Sequence, residues 1–209
     1  METSKTNNGC KSQNNNKIKN ETELLEMFTA GDGVRTFTFV PFLHPVYNEV
    51  WATDFHVIIR ISPDRLNKHY EPVKRCEELK LQKVLIPCHL SCTYKAIRQA
   101  LDECPLVDEV VTEENEEECK ECGDTGKKVH NKNAIVKIGN SFFSWYSLDI
   151  VAKALAHIGA DVINITANEP RGMTEFVFDN IKIGVVSLSY DEGKGINAEV
   201  ELNKNGDKV

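Results

Sequence analysis

Thr53, Asp54 and His56 stand in the middle of "VYNEVWATDFHVIIRI", a run otherwise made of strand-formers. Residues two apart in a strand share a face, so Asp54 and His56 can point the same way. An aspartate that orients a histidine is half of a hydrolytic triad. The other half is missing: no serine or cysteine sits in a nucleophile-elbow context, and no glycine-rich phosphate loop occurs. "GDGVRTF" and "GKG" are isolated glycine pairs. The chain is therefore read as not an enzyme, and the plain account of the three residues is hydrogen bonding at a strand end.

"CKECGDTG", from Cys119 to Gly126, offers a second chemistry. Two thiolates flanking a tight glycine turn present one side of a tetrahedral zinc site. The chain has no second CxxC, so Cys104 or His130, or the pair Cys88 and Cys92, would have to complete the set. The plain account is a hairpin in an acidic loop with two free thiols. A redox pair fits less well, because the glutamates before Cys119 raise thiol pKa values where a reactive pair needs them low. A third chemistry is nucleic-acid contact through Lys95 and Arg98 on one predicted helix and Lys153 on another, with four lysines in the N-terminal arm. Scattered cations on helix faces are more often solvated surface.

The rest of the composition bounds these options. The chain has 209 residues, enough for one domain with a sizeable core. No apolar run approaches the roughly 20 residues that span a bilayer. The first twenty residues hold no apolar h-region, and the seven cysteines are odd in number. Both features are expected of a cytoplasmic protein with mostly free or metal-bound thiols. The net charge of −7 is unevenly placed. Four lysines against Glu2 give residues 1–20 a net of +3, and eleven acids against Lys120 give 102–125 a net of −10, so the body is neutral. The expected organisation is a disordered basic arm at 1–20, a folded domain over 21–190 with an acidic CxxC insert at about 104–133, and a polar tail at 191–209.

Hydrophobic period supplies the elements that must position these residues. Leu24, Leu25 and Phe28 predict a helix over 21–30. "VRTFTFV" and "VYNEVWATDFHVIIRI" predict two strands around the turn "PFLHP", and "KVLIP" (83–87) a short buried strand. Tyr94, Ile97 and Leu101 predict a second helix, and Leu148, Val151, Leu155 and Ile158 a third. "AIVKIGNSFF", "DVINITA", "TEFVFD" and "IKIGVVSLSY" predict strands, the last two joined by a tight turn at Asp179–Asn180. The last third is thus a β-α-β-β-β unit and the first third a poorer copy. An α+β fold is expected, with antiparallel sheets and helices on one face.

Three of these segments resemble a known family. "VWATDFHVIIRI" is similar to the "ATDGHRL" strand of the bacterial sliding clamps, the β subunit of DNA polymerase III. "KVLIP" with its following helix is similar to the strand-Pro-helix that opens the clamp's last domain. Residues 134–190 resemble that domain's ending, which closes on "VVMPM". The order of the three matches, over somewhat more than half of the chain.

The resemblance implies a DNA-clamp-like domain of two β-α-β-β-β-type halves, acting as a replication accessory (processivity) protein. In the family these segments line a hydrophobic groove for short peptides of polymerases and repair proteins. Thr53, Phe55, His56, Val57, Ile58, Pro87, Val185 and Ser187 would be the groove here. Weak duplex DNA contact and a homo-oligomer are implied as well. The chain departs from the family in carrying Phe55 for Gly, Val57 for Arg, and Ser187-Leu188-Ser189 for Met-Pro-Met. The rival reading is a zinc-stabilised interaction module, holding Cys119 and Cys122 with Cys104 or His130, on a clamp-like scaffold with no DNA role.

Overall fold

The predicted helical stripes form helices. Thr93 Oγ1 accepts the Ala96 N–H (3.1 Å) and starts α2 (Tyr94–Glu103), which buries Ile97, Ala100 and Leu101. Ser144 Oγ accepts the Ser147 N–H (3.2 Å) and starts α3 (Trp145–His157), burying Leu148, Val151 and Leu155. Such hydroxyl caps are worth about 1 kcal/mol each. Burying each large aliphatic side chain adds roughly 1.5–3 kcal/mol. The short α1 (Glu21–Glu26) buries Leu24 and Leu25. The computed structural model describes residues 17–29, 40–79, 90–108, 128–167, 172–189 and 195–204. The "VRTFTFV" and "KVLIP" strands and the CxxC motif lie outside or largely outside these ranges.

Thirteen strands are described: β1 Phe42–His44, β2 Glu49–Thr53, β3 Val57–Ile61, β4 Leu90–Thr93, β5 Leu106–Asp108, β6 Lys128–His130, β7 Ile135–Ile138, β8 Ser141–Ser144, β9 Val162–Ala167, β10 Met173–Phe178, β11 Ile181–Val186, β12 Ala198–Val200 and β13 Asn203–Lys204. Eight form one antiparallel sheet in the order β1-β2-β3-β11-β10-β9-β4-β13. A smaller sheet runs β12-β7-β8, with β12 parallel to β7, and β5 and β6 make a two-stranded ribbon. The protein is α+β, built on a large antiparallel sheet. All three helices bury into a single apolar cluster with Val57, Ile59, Ile183, Val185, Ile163 and Ile165 of the sheet. No helix among the described residues is long and apolar enough to cross a membrane.

Several segments differ from expectation. "VYNEVWATDFHVIIRI" is a hairpin rather than one strand, turning at Asp54–His56. "AIVKIGNSFF" is also a hairpin, with Gly139 at φ 57° supplying the turn. Within "PFLHP", Phe42–His44 form β1. The 191–209 tail contributes β12 and β13, and Ala198 and Val200 are buried. The basic arm is docked at its end: Ile18 is buried and its N–H donates to Arg65 O at 2.9 Å. Residues 1–16 lie outside the described residues.

Candidate functional site

The β2–β3 turn explains the polar residues inside the apolar run. Asp54 Oδ1 accepts the N–H groups of His56 and Val57, both at 2.8 Å. Thr53 Oγ1 donates to Val57 O (2.8 Å) and accepts the Phe55 N–H (2.9 Å). Both side chains act on the backbone of the turn, a role their short polar groups suit. Phe55 sits at φ 75°, the left-handed region, where a bulky residue is an outlier. Glycine adopts that φ without a Cβ penalty, which Phe55 cannot.

This turn forms one end of an open cleft of about 200 Å³ on the sheet face turned away from the helices. Register builds it. Thr53 pairs with Ile58, Ile58 with Gly184, and Gly184 with Glu175, so these side chains line up across four strands on one face. Trp51, two residues before Thr53, and Val186, two after Gly184, flank that row. Phe55, His56, Val57, Leu79 and Met173 complete the walls. Gly184 is the floor: a Cβ there would come within 2.6 Å of Met173 Sδ and 2.8 Å of Ile58 Cγ2.

His44 holds the Leu79 wall. Its Nδ1 accepts the Val46 N–H (3.3 Å), which leaves the proton on Nε2 to donate to Leu79 O (2.9 Å). The buried ring also lies 4.1 Å from the Trp51 ring, centroid to centroid.

Of the residues predicted for the groove, Thr53, Phe55, His56, Val57 and Ile58 line the cleft. Val185 is buried in the core on the opposite face of β11, while its neighbours Gly184 and Val186 take the lining positions. Ser187 is buried beyond the strand end, where its N–H donates to Gly172 O (2.8 Å). Pro87 lies outside the described residues. Trp51, Leu79, Met173, Gly184 and Val186 were not predicted. A glycine inside a strand pattern was a usable signal for Gly184, and the period of two marks Trp51. Leu79 and Met173 carry no sequence signal.

Phe55 is 38% exposed, so its ring is a wall of the cleft and not a plug in the core. Phe55→Gly relieves a left-handed strain of about 1–2 kcal/mol while losing partial ring burial. The expected change in denaturant stability is below about 1.5 kcal/mol, against 3–5 for truncating a buried phenylalanine. A loss in that larger range would place the ring in the core.

The other predicted sites are dispersed. Arg98 and Lys153 both contact Asp149, at 3.4 and 2.7 Å, and Arg98 also pairs with Asp102 at 2.8 Å. Lys95 is exposed, and α2 and α3 each carry as many acids as Lys and Arg residues. Cys104 is buried, its Sγ donating to Ala100 O (3.3 Å), and burial followed by the nearby Glu103 pushes its thiol pKa up. His130 Nδ1 meets the Cys104 carbonyl at 3.2 Å, not its sulfur, and the ring stacks on Trp145. Cys119 and Cys122 lie outside the described residues. Burial drives the Cys92 thiol up to about 12, which keeps it protonated in the core. Among the described residues no three His, Cys, Asp or Glu side chains are grouped to hold a metal ion.

Fold and site together define an α+β protein with an apolar cleft on the outer face of a large antiparallel sheet. No family model matches the chain, and neither a curated protein nor a solved structure matches it.

Proposed function

We propose that the protein is a sliding-clamp-like replication accessory factor whose cleft receives a short apolar segment of a partner such as a polymerase or repair protein. The observation that carries this reading is the cleft. The likeness to clamp groove strands pointed to Thr53–Ile58 and to Val185 and Ser187 far along the chain; β3–β11 pairing sets the first segment beside β11, whose Gly184 and Val186 share one concave apolar surface with it. A few polar groups among apolar walls suit a peptide side chain. The order β8–α3–β9–β10–β11 supports the same reading, as does the second strand–helix pair β4–α2, capped in the same way, with β4 beside β9. Contact with duplex DNA through Lys95, Arg98 and Lys153 is secondary. Neutral helices offer few phosphate contacts, so such binding is weak and readily screened by salt.

The test is titration with acetylated hexapeptides carrying Leu or Phe, followed by NMR of the protein. Val186 is 48% exposed, so Val186→Glu changes the cleft wall without a core defect. The variant is expected to bind at least about ten-fold more weakly, the equivalent of about 1.4 kcal/mol, with an unchanged melting temperature. Equal binding by the variant, or no binding by the parent protein, would remove the peptide-groove reading.

A further inference from the structure

The floor of the cleft is a filled seat and not bare backbone. Gly184 leaves room where any other residue would place a Cβ, and two neighbours take that room. Met173 Sδ lies 2.6 Å and Ile58 Cγ2 2.8 Å from the point a Cβ would occupy. Met173 stands opposite Val186, and Glu175 opposite Gly184, so Met173 and Gly184 are diagonal neighbours on β10 and β11. Diagonal partners in a sheet are about 7–8 Å apart, within reach of a long side chain and beyond that of a short one. Met173 therefore crosses to Gly184 by its length, and an alanine in its place would leave the seat open.

The two fillers differ in freedom. Ile58 is β-branched and stiff at χ1, on a strand paired on both sides. Met173 is unbranched and half-buried, and it is the first residue of β10. Its backbone is fixed there by pairing with Val186 and by the Ser187 N–H, which donates to Gly172 O at 2.8 Å. Only its side chain is left to decide how deep the cleft is.

Charge plays no part in that decision. A charged quartet of Glu49, Arg60, Glu175 and Lys182 lies on the same sheet face, but its members pair with one another and none lines the cleft. Selection falls to apolar shape. A cleft of about 200 Å³ is smaller than the roughly 300–1,000 Å³ of ordinary ligand sites and takes one side chain.

We infer that Met173 is the residue that sets the size of the partner side chain. With its thioether over Gly184, the cleft takes an aliphatic side chain of leucine size in preference to an indole. The inference rests on the peptide-groove reading and names the side chain selected.

The probes are acetylated hexapeptides of Gly and Ser with one central Leu or one central Trp. The parent protein is expected to bind the Leu peptide more tightly. Met173→Ala is expected to raise the Trp-to-Leu affinity ratio at least about ten-fold. In the parent protein the Met173 methyl, one of three methionine methyls, should shift in the NMR spectrum as the Leu peptide is added. Four results would overturn this inference and leave the groove reading standing: a parent preference for Trp, a ratio unchanged in Met173→Ala, an equal loss of both peptides in that variant, or a Met173 methyl that does not shift while the Leu peptide binds. Absence of binding by both peptides to the parent protein would remove both readings.

Discussion

Arg60→Met is expected to lower stability by about 3–5 kcal/mol, the usual cost of removing one partner from a buried ion pair. Arg60 is the hub of the outer sheet face: its side chain is 6% exposed and it touches both Glu49 and Glu175. Removing it leaves Glu175 with the Thr166 hydroxyl and Glu49 with Lys182 and the Trp51 indole, two carboxylates on one face with a single cation between them. Lys182→Met is the contrast. Its ammonium is more exposed and meets Glu49 alone, so a change below about 1 kcal/mol is expected. Adding Glu175→Gln to Arg60→Met should recover part of the loss, because it removes the stranded charge. Urea unfolding of the set measures all three. An Arg60→Met cost below about 1 kcal/mol would mean that water reaches the quartet and would end the argument from burial.

What the sequence made legible depends on whether a residue's type records its neighbours. The long helices were readable because Ile97 and Leu101, and Leu148, Val151 and Leu155, repeat at the helical period and each run follows a hydroxyl cap. The turn at Asp179–Asn180 was readable because those residue types tolerate positive φ, and both adopt it. The β2–β3 turn was not, because Phe55 occupies a left-handed position that its type disfavours. Without a glycine there, two strands read as one. The β7–β8 hairpin was missed although Gly139 and Asn140 mark its turn, because the strand-formers on both sides were read straight through that pair. The short β12 was hidden for another reason: only Ala198 and Val200 are apolar, and it is a strand because β7 lies beside it.

The site was half legible. Its two central segments came through resemblance, and its floor follows from strand register, which a single sequence does not state. Leu79 reaches the cleft through the His44 bond, and Met173 through pairing with Val186. The hydroxyl and carboxylate that first suggested chemistry, on Thr53 and Asp54, shape the turn. Acidic and basic side chains of Glu49, Arg60, Glu175 and Lys182 were scattered over four strands and looked like ordinary surface. They meet because each alternates onto the same sheet face.

Glu21→Ala should cost about 2–4 kcal/mol at neutral pH, because one carboxylate ties the start of α1 to the 67–70 loop. Glu21 is buried, and its oxygens accept the Lys68 N–H (2.8 Å), the Asn67 side-chain amide (3.1 Å), the Tyr70 hydroxyl (3.2 Å) and the Asn67 N–H. Unpartnered buried donors cost roughly 1–3 kcal/mol each, and those that relax to water cost less. Burial alone would raise the Glu21 pKa, but the hydrogen bonds from Asn67, Lys68 and Tyr70 outweigh it and hold the value below the ordinary 4.5. A depressed carboxylate contributes stability that is complete above about 4.5 and is lost as pH falls through the lower folded value. The stability difference between the parent protein and Glu21→Ala should therefore be flat near neutrality and shrink in acid. Tyr70 gives the opposite limb. Burial, then the Glu21 charge and hydrogen bond, push its pKa from 10.0 to about 12. A raised phenol contributes stability that is complete below 10 and is lost as pH rises toward 12. In an ultraviolet titration of the native protein one tyrosine should ionise about two units late, and Glu21→Ala should bring it back toward 10. A Tyr70 that ionises with the others in the parent protein, or a stability difference independent of pH in acid, would show that the Glu21–Tyr70 contact does not hold α1 in place.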